Sequence, residues 1–158
     1  MQILLVGFNH RTAPLQIREA VSFSKEQLTV ALPELRRTVG NGLILSTCNR
    51  TEVYATTDDA EGVGAQAGQF LSAFHGVSYD SIEPHLQQLL DDKAVHHLFR
   101  VASGLDSMII GESQILGQVS NALAAASEAK SVDTSMAGLF HAAVRAGGRA
   151  REEANIGS

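Results

Sequence analysis

Cys48 is the only cysteine in 158 residues. It lies in Ser46-Thr47-Cys48-Asn49-Arg50-Thr51-Glu52, with the Arg50 guanidinium close by in sequence. A neighbouring cation favours thiolate over thiol, and the thiolate is the nucleophile. The chemistry on offer is attack by sulfur on an electrophilic carbon. The competing reading is a small buried hydrophobe, since free cysteine is among the most buried residue types. A core cysteine, however, would sit among apolar residues, whereas Ser, Thr, Asn and Arg surround this one. Chemistry is also commonly placed on loops held by a rigid scaffold.

A second set of reactive side chains is His96-His97, within a segment of helical pattern. Successive helical residues point about 100° apart, so both imidazoles cannot face one site. One can reach the cysteine as base or proton donor, and the other meets solvent. The competing reading is a pair at the helix surface or core edge. Histidines at 10, 75, 85, 96, 97 and 141 with one cysteine give no zinc-type spacing, so no metal is expected. Gly62-Val63-Gly64-Ala65-Gln66-Ala67 formally fits a dinucleotide fingerprint. We reject it: the preceding strand is half polar, unlike a buried parallel strand, and Asp58, Asp59 and Glu61 would crowd a pyrophosphate. No second β-α-β half follows, so nicotinamide binding within this chain is not expected.

Two strands must present the cysteine. Leu43-Ile44-Leu45 runs into the polar connection, and the alternating Val53-Tyr54-Ala55-Thr56 leaves it. Ahead of them, Ile3 to Phe8 reads as a buried strand, and Pro14 suits the first turn of a helix with Leu15, Ile17, Ala20 and Val21 on its apolar side. Ser24 with Gln27 forms a capping box for a helix carrying Leu28, Ala31, Leu32 and Leu35, which Pro33 could kink. Asp58 to Glu61 start a further helix reaching about His75, with Phe70, Leu71 and Phe74 on one face and Gly76 closing it. Ser81 to Leu89 fits helix and strand about equally, and a short strand around Ile82 to Leu86 completes the pattern. From Asp91 the chain is helical: a first helix with Val95, Leu98, Phe99 and Ala102 inward, an apolar link Met108 to Gly111, a second from Ser113 to Ala129, and a third capped by Asp133 or Thr134. The ending from Ala154 to Ser158 reads as a cut edge. The expected fold class is α+β: a ferredoxin-like split β-α-β sheet over about 1–90 with an appended C-terminal helical subdomain over about 91–158.

Composition narrows the setting. The hydrophobic share is 44% and the net charge −5, which argues against general affinity for nucleic acid. An RNA contact would need a local patch, for which Arg145, Arg149 and Arg151 are candidates with Arg100 as an outlier; the competing reading is a solvated helix face. No apolar run approaches the roughly 20 residues of a membrane span. A single cysteine fits a reducing, cytoplasmic compartment.

Four stretches together resemble glutamyl-tRNA reductase: Gly7-Phe8-Asn9-His10-Arg11-Thr12-Ala13-Pro14, Ser46 to Tyr54, His97 to Met108, and Gly111 to Val119. The departures are Ser113, where proline is usual, Ser120, where lysine is common, and a looser arginine-rich end. The resemblance implies the N-terminal catalytic domain alone of an enzyme that makes glutamate-1-semialdehyde for tetrapyrrole synthesis. It implies that Cys48 attacks the ester of glutamyl-tRNA to form a thioester, and that NADPH, held by a domain absent from this chain, reduces it. By the same resemblance His97 is the catalytic histidine near the thiol, for proton transfer or orientation. Thr47, Asn49, Arg50, Ser107, Glu112 and Gln118 are substrate-binding, with Arg50 on the side-chain carboxylate. Turn chemistry and capping are the competing readings for Thr47, Asn49 and Ser107, and a surface ion pair with Glu52 for Arg50. The resemblance further implies glutamyl-tRNA as partner, a homodimer formed through another domain, and contact with glutamate-1-semialdehyde aminomutase.

Overall fold

The computed structural model describes residues 1–112 and 114–154. In chain order the elements are β1 (Gln2–Asn9), α1 (Leu15–Ala20), α2 (Lys25–Thr38), β2 (Gly42–Ser46), β3 (Arg50–Thr57), α3 (Ala60–His75), α4 (Tyr79–Ile82), β4 (Gln87–Leu90), α5 (Asp92–Ala102), α6 (Ile115–Glu128) and α7 (Thr134–Ala154). The four strands form one sheet in the order β2-β3-β1-β4, and each neighbouring pair is antiparallel. This is the split β-α-β arrangement the sequence pattern implies. Residues 155–158, including most of the ending read as a cut edge, and Ser113, the expected start of the second late helix, lie outside the described residues.

Period-2 alternation assigns the two faces of the sheet. Arg50, Glu52 and Tyr54 share the face that meets α5 and α7: Glu52 reaches His97, and the Tyr54 and Phe140 rings stand edge to face at 5.1 Å. The opposite face takes α2 and α3. Leu4, Leu5, Phe8, Leu43, Ile44, Leu45 and Val53 are fully withdrawn from solvent between the two helical layers. Gly7 lies opposite Glu52 in the ladder, and a Cβ there would fall on the backbone of Thr51 and Glu52; only glycine admits so close an approach.

Several local expectations hold at the level of atoms. Ser24 Oγ accepts the Gln27 N–H while the Gln27 side chain accepts the Ser24 N–H, a reciprocal cap worth about 1 kcal/mol. Pro33 sits on the exposed side of α2 and does not end it. Asp59 caps α3, and Gly76 ends it in the left-handed conformation. Asp133 rather than Thr134 caps α7, its Oδ1 accepting the Met136 N–H at 2.8 Å.

Others need correction. The fourth strand is Gln87–Leu90, not Ile82 to Leu86. Pro84 has no N–H to give a ladder, Ile82 closes a helical turn with its side chain buried, and residues 87–90 pair with Gly7 to Leu4. The polar connection is only Thr47 to Asn49, because the β1–β3 ladder runs on to Asn9 opposite Arg50. On α5 the buried face is Ala94, His97, Leu98, Val101 and Ala102, while Val95 and Phe99 are half-buried. Leu15 is exposed, and α1 buries none of its own residues. The apolar link is exposed too, at Met108, Ile109 and Ile110.

Candidate active site

Cys48 stands exposed at the tip of the β2–β3 hairpin. The tip is tied by the Thr47 N–H donating to the Arg50 carbonyl (2.8 Å) and by Thr47 Oγ1 accepting the Asn49 N–H (3.1 Å). Thr47 thus performs the turn chemistry expected of its type. A second brace is Arg18, whose Nε donates to the Ala13 carbonyl at 3.2 Å while its Nη1 lies 3.5 Å from the Cys48 carbonyl oxygen. One guanidinium therefore spans the turn after β1 and the hairpin tip.

Behind the tip lies a buried charge network. Arg50 is 1% exposed. Its Nη1 donates to Glu52 Oε2 (3.0 Å), and its Nη2 donates to Asp106 Oδ2 (3.0 Å) and to the Asp106 carbonyl (2.6 Å). His97 Nε2 lies 2.6 Å from Glu52 Oε2 and 3.4 Å from Arg50 Nη1. The shorter contact places the imidazole proton on Nε2, aimed at the carboxylate. Tyr54 donates its hydroxyl to Glu52 Oε1 at 2.9 Å, and Arg11 pairs with Asp106 Oδ1 from the rim. Two guanidiniums thus face two carboxylates. Buried charges persist when paired and hydrogen-bonded in this way.

The network sets its own protonation states. Burial alone would raise the Glu52 carboxyl, but the His97 hydrogen bond and the Arg50 charge hold it below the usual range. Asp106 behaves likewise: burial is outweighed by the Arg50 hydrogen bond and charge. Burial would lower Arg50, yet Glu52 and Asp106 carry it above the ordinary guanidinium value. Burial and the Glu52 charge push the Tyr54 hydroxyl well up, so it remains a donor.

The structure places the remaining candidates as follows. Asn49 is half-buried at the tip, and Ser107 is buried beside Asp106. His97 is buried on α5 while His96 is exposed, so the two imidazoles do part as helical geometry requires. Glu112 lies at the far end of the loop from Gly104, where Arg151 of α7 donates to its carbonyl and to that of Gly111. Gln118 is on α6, lining a groove of about 440 Å³ with Phe23, Ile44 and Ser46 rather than joining the buried network. Of the basic patch, Arg151 is taken up by those two carbonyls and Arg100 donates to Leu105 (3.2 Å), while Arg145 and Arg149 are exposed. Sequence reasoning gave no role to Asp106, Tyr54 or Arg11. The alternation of Arg50, Glu52 and Tyr54 was the available signal for one shared face.

A nicotinamide cofactor does not fit this chain's glycine-rich segment. The N-terminus of α3 is closed by Asp59, whose carboxylate accepts the Gly62 N–H, and the strand before it belongs to an antiparallel sheet. Among the described residues no cluster of three metal-ligating side chains occurs, and no helix is long and apolar enough to cross a membrane.

Residues 6–154 match the family model described as glutamyl-tRNAGlu reductase, N-terminal domain. The chain belongs to this family. It is 45% identical over 156 residues to glutamyl-tRNA reductase of Herpetosiphon aurantiacus, which covers 99% of this chain and 37% of that protein. Against glutamyl-tRNA reductase of Bacillus subtilis it is 42% identical over 160 residues, covering 100% of this chain and 35% of the relative. The solved glutamyl-tRNA reductase from Methanopyrus kandleri superposes with a TM-score of 0.76 at 33% identity, over 96% of this chain and 34% of that one. The chain thus spans little more than a third of the length of these glutamyl-tRNA reductases.

Proposed function

We propose that this chain performs the acyl-transfer half of glutamyl-tRNA reduction. The observation that carries the reading is an exposed cysteine on a braced hairpin tip, directly ahead of a buried arginine–carboxylate network. In this reading Cys48 sulfur bonds to the carbonyl carbon of the glutamyl ester, the ester C–O bond breaks, the tRNA leaves with its ribose hydroxyl restored, and glutamate stays as a thioester. Arg50 is the residue for the substrate's side-chain carboxylate, since a guanidinium pairs with one bidentately. Asp106 holds it meanwhile, and Arg11 on the other Asp106 oxygen can retain that carboxylate when Arg50 turns to substrate. His97, bound at Nε2 to Glu52, serves to orient the network. Thr47 and Asn49 shape the tip, and Ser107 lies buried next to Asp106 of the network. The chemistry we assign to these residues stops at the thioester. Reduction with NADPH, and with it entry into tetrapyrrole synthesis, falls to residues beyond this chain.

Intact-protein mass spectrometry of the chain mixed with glutamyl-tRNA, beside Cys48→Ser, tests this. The expected result is a glutamyl adduct on the wild type alone, removed by hydroxylamine. Folded wild-type chain that neither gains the adduct nor deacylates the tRNA would overturn the reading.

A further inference from the structure

We propose that His10 carries the proton in acyl transfer at Cys48, taking it from the thiol and delivering it to the ribose oxygen that leaves. The inference rests on the thioester reading above. It starts from the end of the sheet. Asn9 opposite Arg50 is the last pair of the β1–β3 ladder. His10 follows Asn9 directly, and Cys48 stands just ahead of Arg50, so both leave the sheet at the same end. Arg18 confirms that the two segments lie side by side, bonding Ala13 of the turn that His10 opens and reaching the Cys48 carbonyl.

The other imidazoles are committed or remote. His97 is bound at Nε2 to Glu52. His85 Nδ1 meets the Thr12 carbonyl at 3.2 Å, and His75 lies among Phe23 and Phe74. His96 and His141 are exposed on helices. His10 keeps a buried Nδ1 without a hydrogen-bond partner among the described residues, as His75 does at Nε2, but it is His10 that adjoins the end of the sheet carrying Cys48. A buried Nδ1 that lacks an acceptor disfavours the doubly protonated ring. Burial first, then the Arg11, Arg50 and Arg18 charges, lower its pKa, with Asp106 opposing. The ring is therefore neutral and able to take a proton at neutral pH. Once charged among three guanidiniums, it gives the proton up readily.

The step balances. The S–H proton passes to the imidazole as sulfur bonds to the carbonyl carbon. The C–O bond then breaks, and the same proton moves to the departing oxygen, leaving thioester, free ribose hydroxyl and neutral His10.

The test compares two glutamyl donors that differ only in the leaving group. From glutamyl-tRNA the tRNA departs as a ribose alkoxide that needs a proton, whereas from the α-p-nitrophenyl ester of glutamate the departing group is a stable p-nitrophenolate. Adduct formation on Cys48 is timed by mass spectrometry for wild type, His10→Ala and His10→Gln, each first shown to be folded by its urea midpoint. We expect both variants to lose at least about 100-fold on glutamyl-tRNA, the range for a lost general acid–base, and roughly tenfold less than that on the aryl ester. Equal losses on both donors, no loss on either, or recovery by His10→Gln would overturn the proposal. Wild type that forms an adduct with neither donor would instead remove the thioester reading, and this inference with it.

Discussion

Replacing Arg50 with leucine should show how the buried network is held. The side chain is 1% exposed and gives up three hydrogen bonds, to Glu52 Oε2, to Asp106 Oδ2 and to the Asp106 carbonyl. Leucine fills part of the volume and leaves two carboxylates facing it. Removing one partner of a buried ion pair costs about 3–5 kcal/mol. Glu52 keeps Tyr54 and His97, and Asp106 keeps Arg11, so the lower end, about 3 kcal/mol, is expected. With a slope of about 2 kcal/mol/M in urea, the midpoint falls by about 1.5 M. The pH dependence should become shallower as well. In the wild type both carboxyls lie below their unfolded values, so their stabilisation is present above the unfolded pKa and is lost as pH falls through the folded one. Without Arg50 each carboxyl loses a lowering influence while its burial remains, so its folded pKa rises towards the unfolded value and the variant loses less stability than the wild type on acidification from pH 7 towards 4. Urea unfolding at several pH values reads both effects. A midpoint shift below about 0.5 M with the wild-type pH slope would refute the reasoning. Arg37→Ala, which removes an exposed pair with Glu34, serves as control and should leave the midpoint in place.

Further outcomes follow from packing, capping and titration. Gly147→Ala sets a methyl 2.5 Å from the Ala102 carbonyl where α7 crosses α5, and should destabilise by about 1–3 kcal/mol. Gly148→Ala, with nothing within 4 Å, should stabilise by about 0.5–1 kcal/mol; thermal unfolding of the two separates crowding from helix propensity. Ser24→Ala removes the capping box and should cost about 1 kcal/mol in the same assay. Burial depresses His75, the Val21 backbone contact only partly offsetting it. The folded state therefore binds fewer protons than the unfolded one, and stability falls as pH drops below about 6.5. His75→Gln should flatten that part of the stability–pH curve, read from urea midpoints between pH 5 and 8.

The hairpin, the capping box and the helical second half were legible because each is encoded locally, by periodicity or by a cap. Three features were not. The strand at Gln87–Leu90 is selected by its partner β1 rather than by its own residues, and Ser81 to Leu89 carries no decisive period. Arg50 reads as a surface residue beside polar neighbours, yet alternation with Glu52 and Tyr54 carries it inward. Asp106, which completes the network, lies 56 residues from Arg50 in sequence, and no local pattern announces such a pairing. The exposed Met108, Ile109 and Ile110 mislead in the opposite direction, since an apolar run suggests burial.

The span of that network bears on how the chain folds. Its links close over 45 residues from Glu52 to His97, 56 from Arg50 to Asp106 and 95 from Arg11 to Asp106. Until α5 and the loop after it arrive, Arg50 and Glu52 on that face have each other and Tyr54 but lack His97 and Asp106. Closing such long loops is slow, and a half-assembled sheet gains little from burying incompletely paired charge. The network behind the cysteine tip is thus shared between the sheet and the late helical part, and it is complete only when the two are packed together.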